Sequence, residues 1–393
     1  MIRAGVGCSL NGDSKQAAQE AALQALERGD LKQVDWAIAF CTFHHRGNYK
    51  EILKLLCDVL QTANVVGCSS YGVITNSEEI EGDPGIAVLA VHSDNVRASP
   101  FLVHHTDDGG VKAGVNIGNQ LIPTRGKNAL LTVLSDPFYV YPELLFRGVE
   151  SQLGEIPIVG AAASEHPTAR ETYQFLGDRV ETGAVAGLMI EGAFAHRIGI
   201  TQGCQPVGEP CVITKAEKNV MFELDGEPAF QVLKKQVPKG LLEDMQGLMY
   251  LLFIGFPPDL SESEIVGGEY LVRNLLGFDP ASGAVAVAHQ VREGQVITFT
   301  MRNSEMARED LNQMLHRLAS LKESDKPFKF GFYFNCLGRG SSLYGYQGID
   351  TAYINHVLGE IPVIGFCGNS EFAPLRGTNY LFTYTGVLVL ISE

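Results

Sequence analysis

An arginine set between glycines, Gly338-Arg339-Gly340-Ser341-Ser342, follows the apolar run Phe330-Gly331-Phe332-Tyr333-Phe334 and has the chemistry to hold an anion. Flanking glycines let a backbone approach a ligand closely, and a guanidinium matches a carboxylate or phosphate with two parallel donors. Asn335, Cys336 and Tyr344 lie on either side of it. Two further polar turns follow short β-branched runs that end in glycine: Cys68-Ser69-Ser70-Tyr71 after Gly67, and Phe366-Cys367-Gly368-Asn369-Ser370-Glu371 after Gly365. A third, Ala161-Ala162-Ala163-Ser164-Glu165 after Gly160, is apolar until Ser164 and carries less weight. The candidate ligand-binding residues are therefore Ser69, Ser70, Tyr71, Asn335, Cys336, Arg339, Tyr344, Asn369 and Glu371. The competing assignment pairs Arg339 with Glu371 and makes both a tie between loops.

Cys68 and Cys336 begin loops after strand-like runs, where a thiolate served by His44, His45 or His356 would support nucleophilic catalysis. Free cysteines are more often small core hydrophobes, and no G-x-S-x-G elbow occurs. The adjacent pairs His44-His45 and His104-His105 diverge on a strand, and neither H-E-x-x-H nor C-x-x-C is present, so no metal is expected. Gly5-Val6-Gly7-Cys8-Ser9 lacks the third glycine of a dinucleotide loop, and the Arg339 turn lacks the Gly-Lys-Ser/Thr of a phosphate loop. Asp107-Asp108-Gly109-Gly110 supplies too few oxygens for calcium. No cofactor is expected.

The elements that would position these turns repeat. Leu153-Gly154-Glu155-Ile156-Pro157-Ile158-Val159-Gly160 returns as Leu358-Gly359-Glu360-Ile361-Pro362-Val363-Ile364-Gly365, differing only by exchange of Ile and Val. Each copy reads as helix, glycine stop and strand, with a strand-like run ahead at Ala129–Leu134 and Phe330–Phe334. A looser copy runs from Trp36–Phe40 through a helix at Asn48, with Glu51 as capping-box partner, to Val65-Val66-Gly67. Asp13 with Gln16 would cap an alanine-rich helix that stops at Gly29, and Ser304 would cap a helix with the stripe Ala307, Leu311, Met314, Leu315 and Leu318. Strands are expected at 85–91, 183–190, 249–254, 284–289, 296–300 and 381–390, with Arg292–Gln295 as a hairpin turn. The fold class is α/β, with two domains of mixed sheets layered with helices and built from pseudo-repeated strand-helix-strand units. Polar turn text around Asp225-Gly226-Glu227-Pro228 divides the chain into 1–215 and 216–393.

The chain has 393 residues, 45% hydrophobic, enough for two full cores. A net charge of -15 without a Lys/Arg cluster repels phosphate backbones and excludes nucleic acid as a partner. No apolar run reaches bilayer length and the start lacks a signal-peptide pattern, so no membrane association is expected. Eight scattered cysteines read as reduced thiols in a cytoplasm.

Val66-Gly67-Cys68-Ser69-Ser70-Tyr71-Gly72, Tyr173-Gln174-Phe175 and Gly199-Ile200-Thr201-Gln202-Gly203 resemble the FIST N-terminal domain. Asn335-Cys336-Leu337-Gly338-Arg339-Gly340, Leu343-Tyr344-Gly345 and Val363 through Pro374 are similar to the FIST C-terminal domain. At Gly72-Val73 this chain departs from a common Gly-Glu, which removes an acidic contact there. The resemblance implies a sensory role in signal transduction and binding of small ligands such as amino acids. Arg339 would then take a carboxylate and Glu371 an ammonium. No output segment fits within the chain, so a separate signalling partner is implied. The expected function is non-enzymatic sensing of a small polar ligand; the alternatives are a cysteine-dependent hydrolase or acyl-transfer enzyme, and a ligand-free structural adaptor.

Overall fold

The computed structural model describes residues 1–121, 128–166, 168–258, 269–321 and 326–393. They form two compact units: Met1–Thr201 with Asp310–Leu381 and Thr385–Glu393, and Gln202–Glu309 with Phe382–Tyr384. The architecture is mixed α/β, as the sequence implies.

The first unit contains three six-stranded sheets with one plan. Each is centred on two parallel strands: Trp36–Thr42 beside Val65–Ser70, Ala129–Ser135 beside Ile158–Ala162, and Phe328–Cys336 beside Val363–Gly368. Two strands flank the first member of each pair: Ile86–Ser93 and Ile2–Ser9, then Ala184–Gly192 and Val96–His104, then Thr385–Ser392 and Ala195–Gln202. A two-stranded ribbon flanks the second member, and it always comes from elsewhere in the chain. The ribbon Gly72–Thr75 with Glu79–Glu81 leaves the first sheet and pairs with Val363–Gly368 of the third. Gln174–Leu176 leaves the second sheet for the first, and Glu371–Leu375 leaves the third for the second.

Two helices cover each sheet. Ser14–Arg28 and Tyr49–Leu60 bury Ala18, Ala21, Ala25, Leu53 and Leu56 against the first sheet. Each leucine so buried contributes about 1.5–3 kcal/mol. Val111–Gln120 and Pro142–Leu153 cover the second sheet, and Ser304–Ser320 and Ile349–Leu358 supply the third core through Leu311, Met314, Leu315 and Ile354.

The three strand-ending glycines have one steric cause. A Cβ at Gly67, Gly160 or Gly365 would lie 1.8, 1.9 or 1.8 Å from the carbonyl oxygen of Ala39, Val133 or Tyr333 on the parallel neighbour. No side chain fits so close an approach, so each sheet needs glycine there.

In the second unit, the long strand Cys204–Glu217 pairs antiparallel with both Val296–Arg302 and Val220–Leu224. Leu252–Phe256, Leu271–Asp279 and Ala284–Val287 complete the circuit, closing the sheet into a barrel. Helix Ala229–Gln236 packs Phe230 and Leu233 into the barrel's core.

The structure differs from the sequence expectations at definite points. The division at 215 falls inside strand Cys204–Glu217, and the compact units are not sequential. Ribbons exchanged among sheets knit the two ends of the chain into one unit, and the barrel is inserted between Thr201 and Asp310. The helix at Ser304 is capped by Asn303, whose Oδ1 accepts from the amides of Glu305 and Met306 at 3.0 Å each. Asp13 caps its helix through Lys15 N and Gln16 N, but Gln16 turns to Asn11 instead of closing a box, and Asn48 makes no side-chain cap. Residues 249–251 are helical because Asp244 caps a turn at Gly247 N, 2.8 Å away. The expected strand 381–390 breaks at Tyr384, whose φ is 61°. The Arg292–Gln295 turn joins strands that are not paired with each other.

Candidate functional site

The parallel strand pairs end around one cleft of about 610 Å³ within the first unit. Tyr71, Ser164 and Asn369 each stand four residues beyond a sheet glycine, at Gly67, Gly160 and Gly365, and all three line the cleft. Pro137 and Leu337 play the matching part at the ends of the partner strands, four residues beyond Val133 and Tyr333. One hydroxyl holds the three turns together. Ser164 Oγ accepts the Tyr71 amide at 2.8 Å and donates to the Cys367 carbonyl, while the Ser164 carbonyl accepts from Ser69 Oγ at 3.2 Å.

Of the residues expected at the site, Tyr71 and Asn369 line the cleft, with Ser341 and Ser342 of the arginine turn. Ser69 and Ser70 are buried beneath it; Ser69 Oγ also accepts the Tyr173 amide at 3.1 Å, and Ser70 Oγ donates to the Gly72 carbonyl at 2.8 Å. Arg339 is placed differently from the expectation. Its side chain is 0% exposed and turned into the third core, with Nε and Nη2 each 3.2 Å from Asp350 and Nη2 donating to Tyr344 Oη at 2.7 Å. Tyr333 Oη donates to the same carboxylate at 2.7 Å. The reason is the helix Ile349–Leu358, which carries Asp350 in its first turn and delivers a buried counter-charge. Tyr344 is thereby part of that buried cluster and not of a ligand surface.

Glu371 does not pair with Arg339 through a hydrogen bond. It is fully buried, accepts from Thr385 Oγ1 at 2.7 Å, and burial pushes its carboxyl up to about 8. Asn335 is fully buried and, among the described residues, neither amide atom has a hydrogen-bond partner. Cys336 is buried beside it, its sulfur accepting the Gly338 amide at 3.4 Å. Cys68 is wholly buried, and burial holds its thiol well above the ordinary value.

The turn given less weight in the sequence supplies Glu165 to the cleft, and the segment after it supplies Arg170. Glu165 lines the cleft but is only 7% exposed; burial raises its carboxyl, Tyr49 Oη donates to Oε1 at 3.0 Å, and Oε2 is buried with no hydrogen-bond partner among the described residues. Arg170 lines the cleft from an exposed turn, and among the described residues no hydrogen bond or ion pair engages its guanidinium. Glu81 also lines it, with its oxygens taken by Ser341 N at 2.8 Å and Ser341 Oγ at 2.7 Å. Phe138 adds a half-exposed ring. Aligning the three glycines in the sequence would have found Ser164; nothing local marked Arg170, which belongs to no repeated motif.

Residues 35–227 match the FIST N domain and residues 229–374 the FIST C domain. The chain belongs to the FIST family. FIST domains are associated with sensory roles in signal transduction. The chain is 29% identical over 393 residues to an uncharacterized protein of Mycobacterium tuberculosis, covering all of both chains. It is 27% identical over 395 residues to an uncharacterized protein of Mycobacterium bovis, covering 100% of this chain and 99% of that one. Among solved structures it is similar to a cyanuric acid hydrolase from A. caulinodans, with a TM-score of 0.39, 9% identity, and coverage of 100% of this chain and 99% of that one. Among the described residues, no FIST helix here is long and apolar enough to cross a membrane, and no group of three His, Cys, Asp or Glu side chains is placed to hold a metal.

Proposed function

We propose that this FIST protein is a non-enzymatic sensory module that binds a small polar ligand, of amino-acid size, in the cleft at the ends of its three parallel strand pairs. A separate output protein then reads whether the cleft is filled. The observation that carries this reading is the guanidinium of Arg170, engaged by none of the described residues, beside Tyr71, Ser164 and Asn369. A cleft of about 610 Å³ is of the size that encloses a small molecule. The Arg170 guanidinium would give a carboxylate a charge-assisted partner in an otherwise acidic protein. The thiol-enzyme alternative is less well supported, because neither Cys68 nor Cys336 lines the cleft and both are buried. Eight free cysteines fit a reducing compartment such as the cytoplasm.

Thermal-shift screening of amino acids and small carboxylates tests the proposal, since a ligand of the folded state raises the melting temperature by mass action. Arg170→Ala removes an exposed side chain without touching the core. Loss of one charge-assisted hydrogen bond should weaken a hit by about 10- to 100-fold. Undiminished affinity would take Arg170 out of the site, and a panel without any shift would leave the adaptor alternative.

A further inference from the structure

The part of the cleft wall that comes from the first sheet is aromatic. Four residues beyond Val133 and Tyr333, Pro137 and Leu337 border the cleft themselves. Phe43, four residues beyond Ala39, instead backs Tyr71, with ring centroids 5.9 Å apart and planes 18° from parallel. His44 stacks on Phe43 at 4.1 Å and 29°, and His166 meets Phe43 edge-on at 5.1 Å and 68°. Stacked and edge-on contacts of this kind fix the orientation of the rings that make them. The Tyr71 backbone is pinned as well: its amide donates to Ser164 Oγ at 2.8 Å, and its carbonyl accepts the Gly82 amide at 3.1 Å. Tyr71 is thus a ring set in place before any ligand arrives, with one face covered by Phe43 and part of its surface in the cleft. The lining around it is apolar at Pro137, Phe138, Ala163, Ala169 and Leu337, and Phe138 is left 50% exposed. A concave apolar surface with few polar groups suits the body of a small molecule. Arg170 supplies the charge for one anionic group, while the Glu81 carboxylate held by Ser341 in the same lining repels a second.

We propose that the ligand of this cleft is a carboxylate that carries an aromatic ring, the ring laid on the face of Tyr71 turned from Phe43 and the carboxylate at Arg170. The assignment rests on the ligand-binding reading above and narrows it to one chemical class. Two properties follow. A flat ring gains from an offset stack beyond what burial of its area gives, so an aromatic body is favoured over a saturated ring of similar size. Covering Tyr71, Phe138 and Leu337 removes apolar surface from water, so a short acid that lacks the ring is held far more weakly.

Calorimetric titration of the full chain with hydrocinnamate, cyclohexanepropionate and propionate tests the assignment, because the three share one carboxylate and differ only in the body. Hydrocinnamate should bind about 2- to 10-fold more tightly than cyclohexanepropionate. It should exceed propionate by about 10-fold or more. Burial alone would favour the saturated ring, which is the more apolar of the two, so an excess for hydrocinnamate reports stacking. Tyr71→Phe keeps a ring and should keep that excess, whereas Tyr71→Leu should abolish it; neither change touches the backbone amide that Ser164 holds. Cyclohexanepropionate binding as tightly as hydrocinnamate to the wild type would overturn the stacked ring, and so would an excess that survives Tyr71→Leu. Should the leucine variant not fold, the order of the three acids on the wild type decides by itself. If none of the three binds while another small molecule raises the melting temperature, the aromatic ligand is refuted and the sensory reading stands. If no compound in either experiment binds, both fall together.

Discussion

Ser164→Ala puts the convergence of the three turns to a quantitative test. The hydroxyl is 3% exposed and joins the Tyr71 amide to the Cys367 carbonyl, so its removal strands one donor and one acceptor. An unsatisfied buried group costs about 1–3 kcal/mol. Tyr71 is half-buried and borders the cleft, where water can replace part of the loss, so its share lies at the low end. The Cys367 carbonyl lies in a buried strand and bears the larger share. The sum is about 2–3 kcal/mol, a large fraction of the ~5–15 kcal/mol that holds a domain folded. Equilibrium urea unfolding should show a lower midpoint at unchanged slope. Ser164→Thr, which keeps the hydroxyl, should lie much closer to the wild type. A loss below about 0.5 kcal/mol, the level of an ordinary surface change, would refute the claim that this one side chain binds the turns together.

The buried Arg339–Asp350 pair should make Asp350→Ala cost about 3–5 kcal/mol in the same assay, because the guanidinium is left without a counter-charge. Arg339→Met combined with Asp350→Leu should recover most of that loss, and a double variant no better than the single would contradict the account. Burial raises the Glu371 carboxyl to about 8, so the fold holds its proton more tightly than the unfolded chain does. Its contribution to stability is complete below the ordinary 4.5 and is lost as the pH climbs to about 8. Glu371→Gln should flatten that part of the pH–stability curve, and an unchanged slope would show that the carboxyl is ionised in the fold.

The sequence by itself determined the local pieces. The glycines at 67, 160 and 365, the stop at Gly154 and the stripe from Ala307 to Leu318 were legible, because backbone sterics and helical periodicity act over a few residues. The turns that border the cleft could be named on the same basis. Only the tertiary structure decided which side chains of those turns face it. Arg339 lies eleven residues from Asp350, and a helix folding back on the sheet gives it that partner in preference to Glu371. Arg170 and Glu165 become the cleft's charges because ribbons are exchanged among three sheets, bringing segments some two hundred residues apart within hydrogen-bond reach, as at Ser164 and Cys367. Strand exchange leaves no periodic mark, since a ribbon shows the same alternation whichever sheet it joins. The relative burial of partners far apart in the chain sets where the charges end up, and short-range pattern carries no record of it.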